Sequence, residues 1–253
     1  MQLLIYETAV PVSSLHHANA CVAVGGTYEF SKKVNSVPLM AVEFPFAAPE
    51  YPIVFAGAKE SLMPAVILGM RDKENVYLDA AGTWQAKYLP AFVRRYPFVF
   101  SASNEGKTFT LCIDEAFSGF NREGRGQRLF NDEGKPTQFT DNVLKFVQQY
   151  QIQFDRTKAF CEKLTELDLL EPMQAQVSLT TGERAALTGF MAVSRNKLKA
   201  LAGDKLAELV KTDELELLYL HLFSMRNFSI VKDRLEAATP SPAVESAESV
   251  VSK

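Results

Sequence analysis

The chain has 253 residues, with 27 Lys and Arg against 30 Asp and Glu and a formal net charge of −3. That balance excludes a general polyanion binder, because there is no cationic excess to neutralise phosphates, and no nucleic acid is expected as a partner. An apolar fraction of 47% excludes a disordered chain, and the length allows one large domain or two small ones.

The first thirty residues carry no Lys or Arg, so the basic start of a secretory signal is missing. Between Thr8 and Tyr28 the chain is uncharged, yet Pro11, Ser13, Ser14, His16, His17 and Asn19 interrupt it. Such groups are costly in hydrocarbon, so the stretch reads as buried or partly buried β and loop and not as a membrane span. Cys21, Cys112 and Cys161 are odd in number and far apart, which fits reduced thiols and a cytoplasmic protein.

Eight of the twelve prolines fall in the first hundred residues, whereas 137–171 and 204–239 contain neither Pro nor Gly. Short strands and turns are therefore expected first and helices later. Segments 38–44, 51–56, 64–70, 75–79 and 97–101 are short, apolar and bounded by turn residues. They read as strands of a compact sheet or partly open barrel, with the prolines at edges and strand starts. Phe109, Leu111 and Ile113 alternate with Thr108, Thr110 and Cys112, the period of a half-buried strand.

At Thr137 the period changes. Phe139, Val143, Phe146, Val147, Tyr150, Phe154, Phe160, Leu164 and Leu167 recur at helical spacing. Thr137 or Thr140 caps the start, and Pro172 forbids continuation beyond 170–171. Residues 176–180 and 185–193 flank Thr181-Gly182-Glu183 as a hairpin. Helices follow near 195–201, 204–211 and 214–235. The Pro-bearing polar tail from 239 to 253 reads as disordered. The fold class is α+β: a β-rich region over 1–136, then a mainly helical region with a hairpin over 137–238, packed with the first as one unit.

Phosphate loops, dinucleotide fingerprints, zinc-type motifs and nucleophile elbows are all missing, so neither cofactor nor metal is expected. Gly124-Arg125-Gly126 is a lone glycine pair, read as a surface loop. His16 and His17 are adjacent and would point to opposite faces of a strand, and His221 sits between leucines of the last helix as a core or interface histidine. An enzyme reading needs one of these histidines to converge with Glu43, Asp79 or Asp114. The densest stretch runs from Asp79 to Phe98. In it Trp84, Tyr88 and Tyr96 with Arg94 and Arg95 offer an aromatic–guanidinium pocket for a small anionic or aromatic ligand. The competing reading makes the aromatics core and pairs one arginine with a carboxylate such as Asp79 or Glu43.

Several blocks in order, EFPFAAPEYPIVFAG (43–57), PAVILGM (64–70), NVYLDAAGTW (75–84), YLPAFVRRYPFVF (88–100), LCIDE (111–115), RLFNDEGKPT (128–137), LLEP (169–172) and LYLHLFSMRNF (218–228), resemble the SapC family of bacterial proteins. The resemblance spans residues 6–231. It implies a link to bacterial surface layers and genes neighbouring those of outer-membrane receptors and oxygenase-like enzymes, and it supplies no catalytic residues. Three functions stay open: a non-catalytic accessory protein binding a ligand or protein partner for a surface-layer or outer-membrane uptake system, a metal-dependent modifying enzyme, or an exported surface component. Tyr219 and His221 beside the apolar face of the last helix suggest a homodimer surface.

Overall fold

A computed structural model describes residues 4–103 and 108–238; the expected disordered tail lies outside them. In chain order the strands are β1 (Ala9–Pro11), β2 (Cys21–Val22), β3 (Ser36–Pro38), β4 (Ile53–Ala56), β5 (Met63–Ile67), β6 (Phe98–Ser103), β7 (Thr108–Asp114), β8 (Phe120–Asn121), β9 (Gln127–Arg128), β10 (Leu170–Ser178) and β11 (Arg184–Val193). The helices are α1 (Ser14–His17), α2 (Phe44–Ala47), α3 (Ala91–Arg94), α4 (Gln138–Glu166), α5 (Arg195–Lys199), α6 (Gly203–Lys211), α7 (Glu214–Ser224) and α8 (Phe228–Ala238). The architecture is α+β, with sheets in the N-terminal and middle regions, helices at the C-terminal end and, among the described residues, no closed barrel.

Three antiparallel sheets form, with orders β1-β7-β6, β10-β11-β4-β5-β3 and β8-β2-β9. Side-chain alternation explains how β6 and β7 serve two cores. Phe98, Phe100 and Ile113 enter a cluster with Leu129 and Val147, while Val99 and Cys112 face the main core. At β4 and β5 the five-stranded sheet is likewise buried on both faces. Ile53, Phe55 and Val66 pack into the main core, and Val54, Ala65 and Ile67 pack with Phe190 on the other side. A strand covered on both faces needs no polar residues, which is why β4 and β5 read as unbroken apolar runs. Pro38 and Pro172 lie on the edge strands β3 and β10, and Pro64 near the start of β5, where a missing N–H is tolerated.

The hairpin expected around Gly182 is present, and its strands are longer than the turn signal suggested. Gly182 has φ +84°, and β10 begins at Leu170, so Pro172 lies within a strand. Through the Met191–Phe55 pair this hairpin continues the sheet begun by the first hundred residues. The long helix α4 starts as read, with the Thr137 hydroxyl accepting the Thr140 N–H. It stops at Glu166, short of Pro172, because Asp168 takes φ +48° and the Leu169 N–H turns back to the Leu164 carbonyl.

Two expected strands and one helix differ. Of the first apolar segment, 38–44, only Pro38 is strand, as the last residue of β3; residues 41–43 form a 3-10 turn leading into α2, held by the Glu43 carboxylate accepting the Met40 N–H at 2.8 Å. Residues 75–79 form turns joined by a single Leu78–Trp84 bridge. Asp79 accepts the Ala81 and Thr83 N–H groups there, an arrangement that satisfies the backbone without a ladder. The last helix is divided by a 3-10 turn at 225–227. At that division Asn227 donates to the Ala48 and Tyr51 carbonyls, and the Ser224 hydroxyl accepts the Ile53 N–H.

Candidate ligand-binding site

The five residues singled out in the Asp79–Phe98 stretch divide between core and surface. Trp84 is core. Its indole N–H donates to the Tyr51 hydroxyl at 2.8 Å, and its ring stacks on Tyr77 and meets Tyr28 edge-on. Tyr51 is buried completely, and burial pushes its phenol well above the usual range. Trp84 is therefore linked to Tyr88 through Tyr51, whose hydroxyl donates to the Tyr88 carbonyl.

Pro90 precedes the single turn of α3, which presents Ala91, Phe92 and Val93 inward and Arg94 outward. Glu43 fixes this turn. Its buried carboxylate accepts the Ala91 N–H at 2.8 Å and the Tyr88 hydroxyl at 2.7 Å, besides the Met40 N–H. Tyr88 is half-buried and stacked on Phe46; burial first, then the Glu43 charge and hydrogen bond, hold its phenol protonated, so it stays a donor.

Arg94 lies between the rings of Tyr88 and Phe146, 5.8 and 5.5 Å from their centroids, and its terminal nitrogen is 3.5 Å from the Tyr88 hydroxyl. Neither Asp79 nor Glu43 pairs with it directly; the Tyr88 phenol stands between Arg94 and Glu43. Arg95 goes the other way, 4% exposed, with its guanidinium 4.4 Å from the Tyr150 ring centroid, 4.5 Å from Phe92 and 5.6 Å from Tyr6. Tyr96 stacks on Phe30, and its hydroxyl is 3.4 Å from Asp114.

Two clefts open along the seam between α3 and α4. The larger, about 390 Å³, is lined by Glu43, Phe46, Tyr88, Arg94, Phe146 and Tyr150 among others. The smaller, about 270 Å³, is lined by Arg94, Arg95, Tyr96, Phe98, Phe139, Asn142 and Phe146. Arg94 and Phe146 belong to both and form the partition. Of the five sequence candidates, Tyr88, Arg94, Arg95 and Tyr96 line this seam and Trp84 does not. Phe46, Phe139, Asn142, Phe146 and Tyr150 had not been singled out; the helical stripe of α4 marks its aromatics as apolar but not as facing a cleft.

The histidines do not converge with one another. His16 is exposed, while His17 is buried, with Nδ1 against Ser13 and Nε2 3.3 Å from Glu115. His221 is fully buried against Phe55, its Nε2 accepting the Val193 N–H, and burial lowers its pKa to about 4. Among the described residues no group of three or more His, Cys, Asp or Glu is placed to hold a metal ion. Gly126 is a packing position: at φ +89° its Cα faces the Val22 carbonyl so closely that a Cβ would lie 2.4 Å from the oxygen.

The SapC family model matches residues 12–230, most of the chain. The protein belongs to the SapC family. No curated protein and no solved structure matches it. Helices α3 and α4, Glu43 and both arginines all lie inside the SapC match, so the seam is built from the family region. No helix among the described residues of this SapC protein is long and apolar enough to cross a membrane.

Proposed function

We propose that this SapC-family protein is a non-catalytic binding protein that holds a small, partly apolar ligand in the seam between α3 and α4. It would work from the cytoplasm beside a surface-layer or outer-membrane uptake system, a setting that rests on the family resemblance alone. The observation that supports the binding reading is Arg94. It is an exposed guanidinium braced on two rings, without a carboxylate of the described residues in ion-pair distance, between two clefts with aromatic walls. Concave, largely apolar walls with a few convergent polar groups are the usual form of a small-molecule site. Tyr88 and Glu43 hold the rim by hydrogen bonds that do not depend on a ligand, so the site is formed in advance.

The test is native mass spectrometry of the full chain purified gently from the host that carries its gene, alongside the Arg94→Ala variant. The expected result is a small-molecule adduct on the wild-type chain that is lost in the variant, with unchanged thermal unfolding of the bare proteins. A bare chain in both preparations, or an adduct indifferent to Arg94, would overturn the reading.

A further inference from the structure

Arg95 is a cation in the interior, next to the Tyr6 hydroxyl and without an ion pair among the described residues. It is 4% exposed, and among the described residues its Nε has no hydrogen-bond partner and no carboxylate lies within 4 Å of its guanidinium. The two buried carboxylates nearest in the fold are already occupied. Glu43 takes the Met40 and Ala91 N–H groups and the Tyr88 hydroxyl, and Asp114 takes the N–H groups of Glu7, Thr8 and Ala116. Three rings around Arg95, those of Tyr6, Phe92 and Tyr150, give partial compensation through their negative faces. A buried charge without an ion pair is nevertheless costly, and the residue lines an open cleft.

The two clefts differ in charge. The larger has the Glu43 carboxylate in its wall, whereas the smaller has Arg94, Arg95 and Asn142 and, among the described residues, no carboxylate. Its remaining wall is apolar, with Tyr96, Phe139 and Phe146 presenting ring surface. A guanidinium fork matches a carboxylate in shape and charge, and aromatic walls match an apolar body behind it.

We infer that the smaller cleft is a carboxylate site, in which the acid group of an aryl or short alkyl carboxylic acid meets Arg95 and Arg94 while its apolar body packs between Phe139 and Phe146. This inference deepens the binding reading and rests on it. The larger cleft takes only the part of a ligand that extends past the Arg94–Phe146 partition, because Glu43 repels an acid group there.

Isothermal titration calorimetry with two probes on the full chain tests the assignment: 3-phenylpropionate and its uncharged counterpart 3-phenylpropanol. The propionate is expected to bind at least tenfold more tightly than the alcohol, with affinity falling as salt rises. Two variants follow. Asn142→Asp keeps the size of an exposed helix residue and the acceptor used by Gln138, and places a negative charge at the cleft; it should weaken propionate about tenfold and the alcohol much less. Arg95→Met should abolish the preference for the acid; should that variant fail to fold, Asn142→Asp decides alone. Equal binding of acid and alcohol would overturn the carboxylate assignment while leaving the seam as a ligand site. Binding of neither probe would also overturn it, and the copurification experiment then judges the seam separately. Propionate binding indifferent to Asn142→Asp and Arg95→Met would place the acid elsewhere.

Discussion

The Glu43 carboxylate accepts the Ala91 N–H at 2.8 Å across forty-eight residues of sequence, and so ties the 3-10 turn before α2 to the first turn of α3. The same group takes the Met40 N–H and the Tyr88 hydroxyl. One buried side chain therefore joins the parts of the larger cleft's wall contributed by the turn before α2 and by Tyr88 and α3.

Glu43→Ala is expected to destabilise the protein by about 3 kcal/mol, since two buried N–H donors and the half-buried Tyr88 hydroxyl lose their acceptor together. Glu43→Gln keeps the shape and one acceptor oxygen and should cost less, roughly half. Urea denaturation of the three proteins checks the order; equal stabilities would show that the donors find other partners.

Asn227 performs a comparable task at the other end of α2. Its amide donates to the Ala48 and Tyr51 carbonyls at 2.7 and 2.9 Å, at the place where the C-terminal helix is divided. Asn227→Ala should cost about 2–3 kcal/mol, because two buried carbonyls are left unpaired and a small void opens. Asn227→Asp should cost at least as much, as a carboxylate cannot donate to either carbonyl. Thermal unfolding measures both.

These long-range ties mark where the sequence is silent. Helix α4 was legible because twenty-nine residues repeat one period without a breaker, and the hairpin because Gly182 supplies the positive φ its turn requires. Segment 38–44 is equally apolar as strand or as turn and helix, and its choice depends on a partner at Ala91 that local pattern does not name. The single turn of α3 was too short to show a period. Adjacent Arg94 and Arg95 could not be sorted, although a rotation of about 100° per residue sends one to solvent and the other inward. The aromatic–guanidinium character of the site was visible at Tyr88, Arg94 and Arg95. The contribution of Phe146 and Tyr150 was not, because a residue lining a cleft and one filling a core obey the same helical spacing.

Gly124 and Gly126 offer a paired test of backbone demand. Both have positive φ, +79° and +89°, but a Cβ at Gly124 meets open space, whereas one at Gly126 meets the Val22 carbonyl oxygen at 2.4 Å and the Ala23 Cα at 2.6 Å. Gly124→Ala should cost only the conformational term, about 1–2 kcal/mol. Gly126→Ala must also push β2 away from its neighbour and should cost visibly more. Comparable unfolding midpoints for the two variants would contradict the close approach.

His221 makes stability depend on pH in a defined window. Its ring is buried and neutral, Nε2 accepts the Val193 N–H, and burial lowers its pKa from 6.5 to about 4, opposed only in part by backbone hydrogen bonding at Ile53. As pH falls, the unfolded chain takes up the proton first, so the folded state loses ground between 6.5 and 4. The contribution is complete above pH 6.5 and gone below 4; a shift of this size corresponds to about 3 kcal/mol. His221→Gln retains an acceptor for Val193 and removes the titration. The difference in unfolding free energy between wild type and variant should therefore change across that window and stay flat from pH 7 to 8. Carboxylates titrate in both proteins and cancel in the difference. A difference that does not vary between pH 7 and 4.5 would mean that His221 accepts its proton inside the folded core as readily as in the unfolded chain.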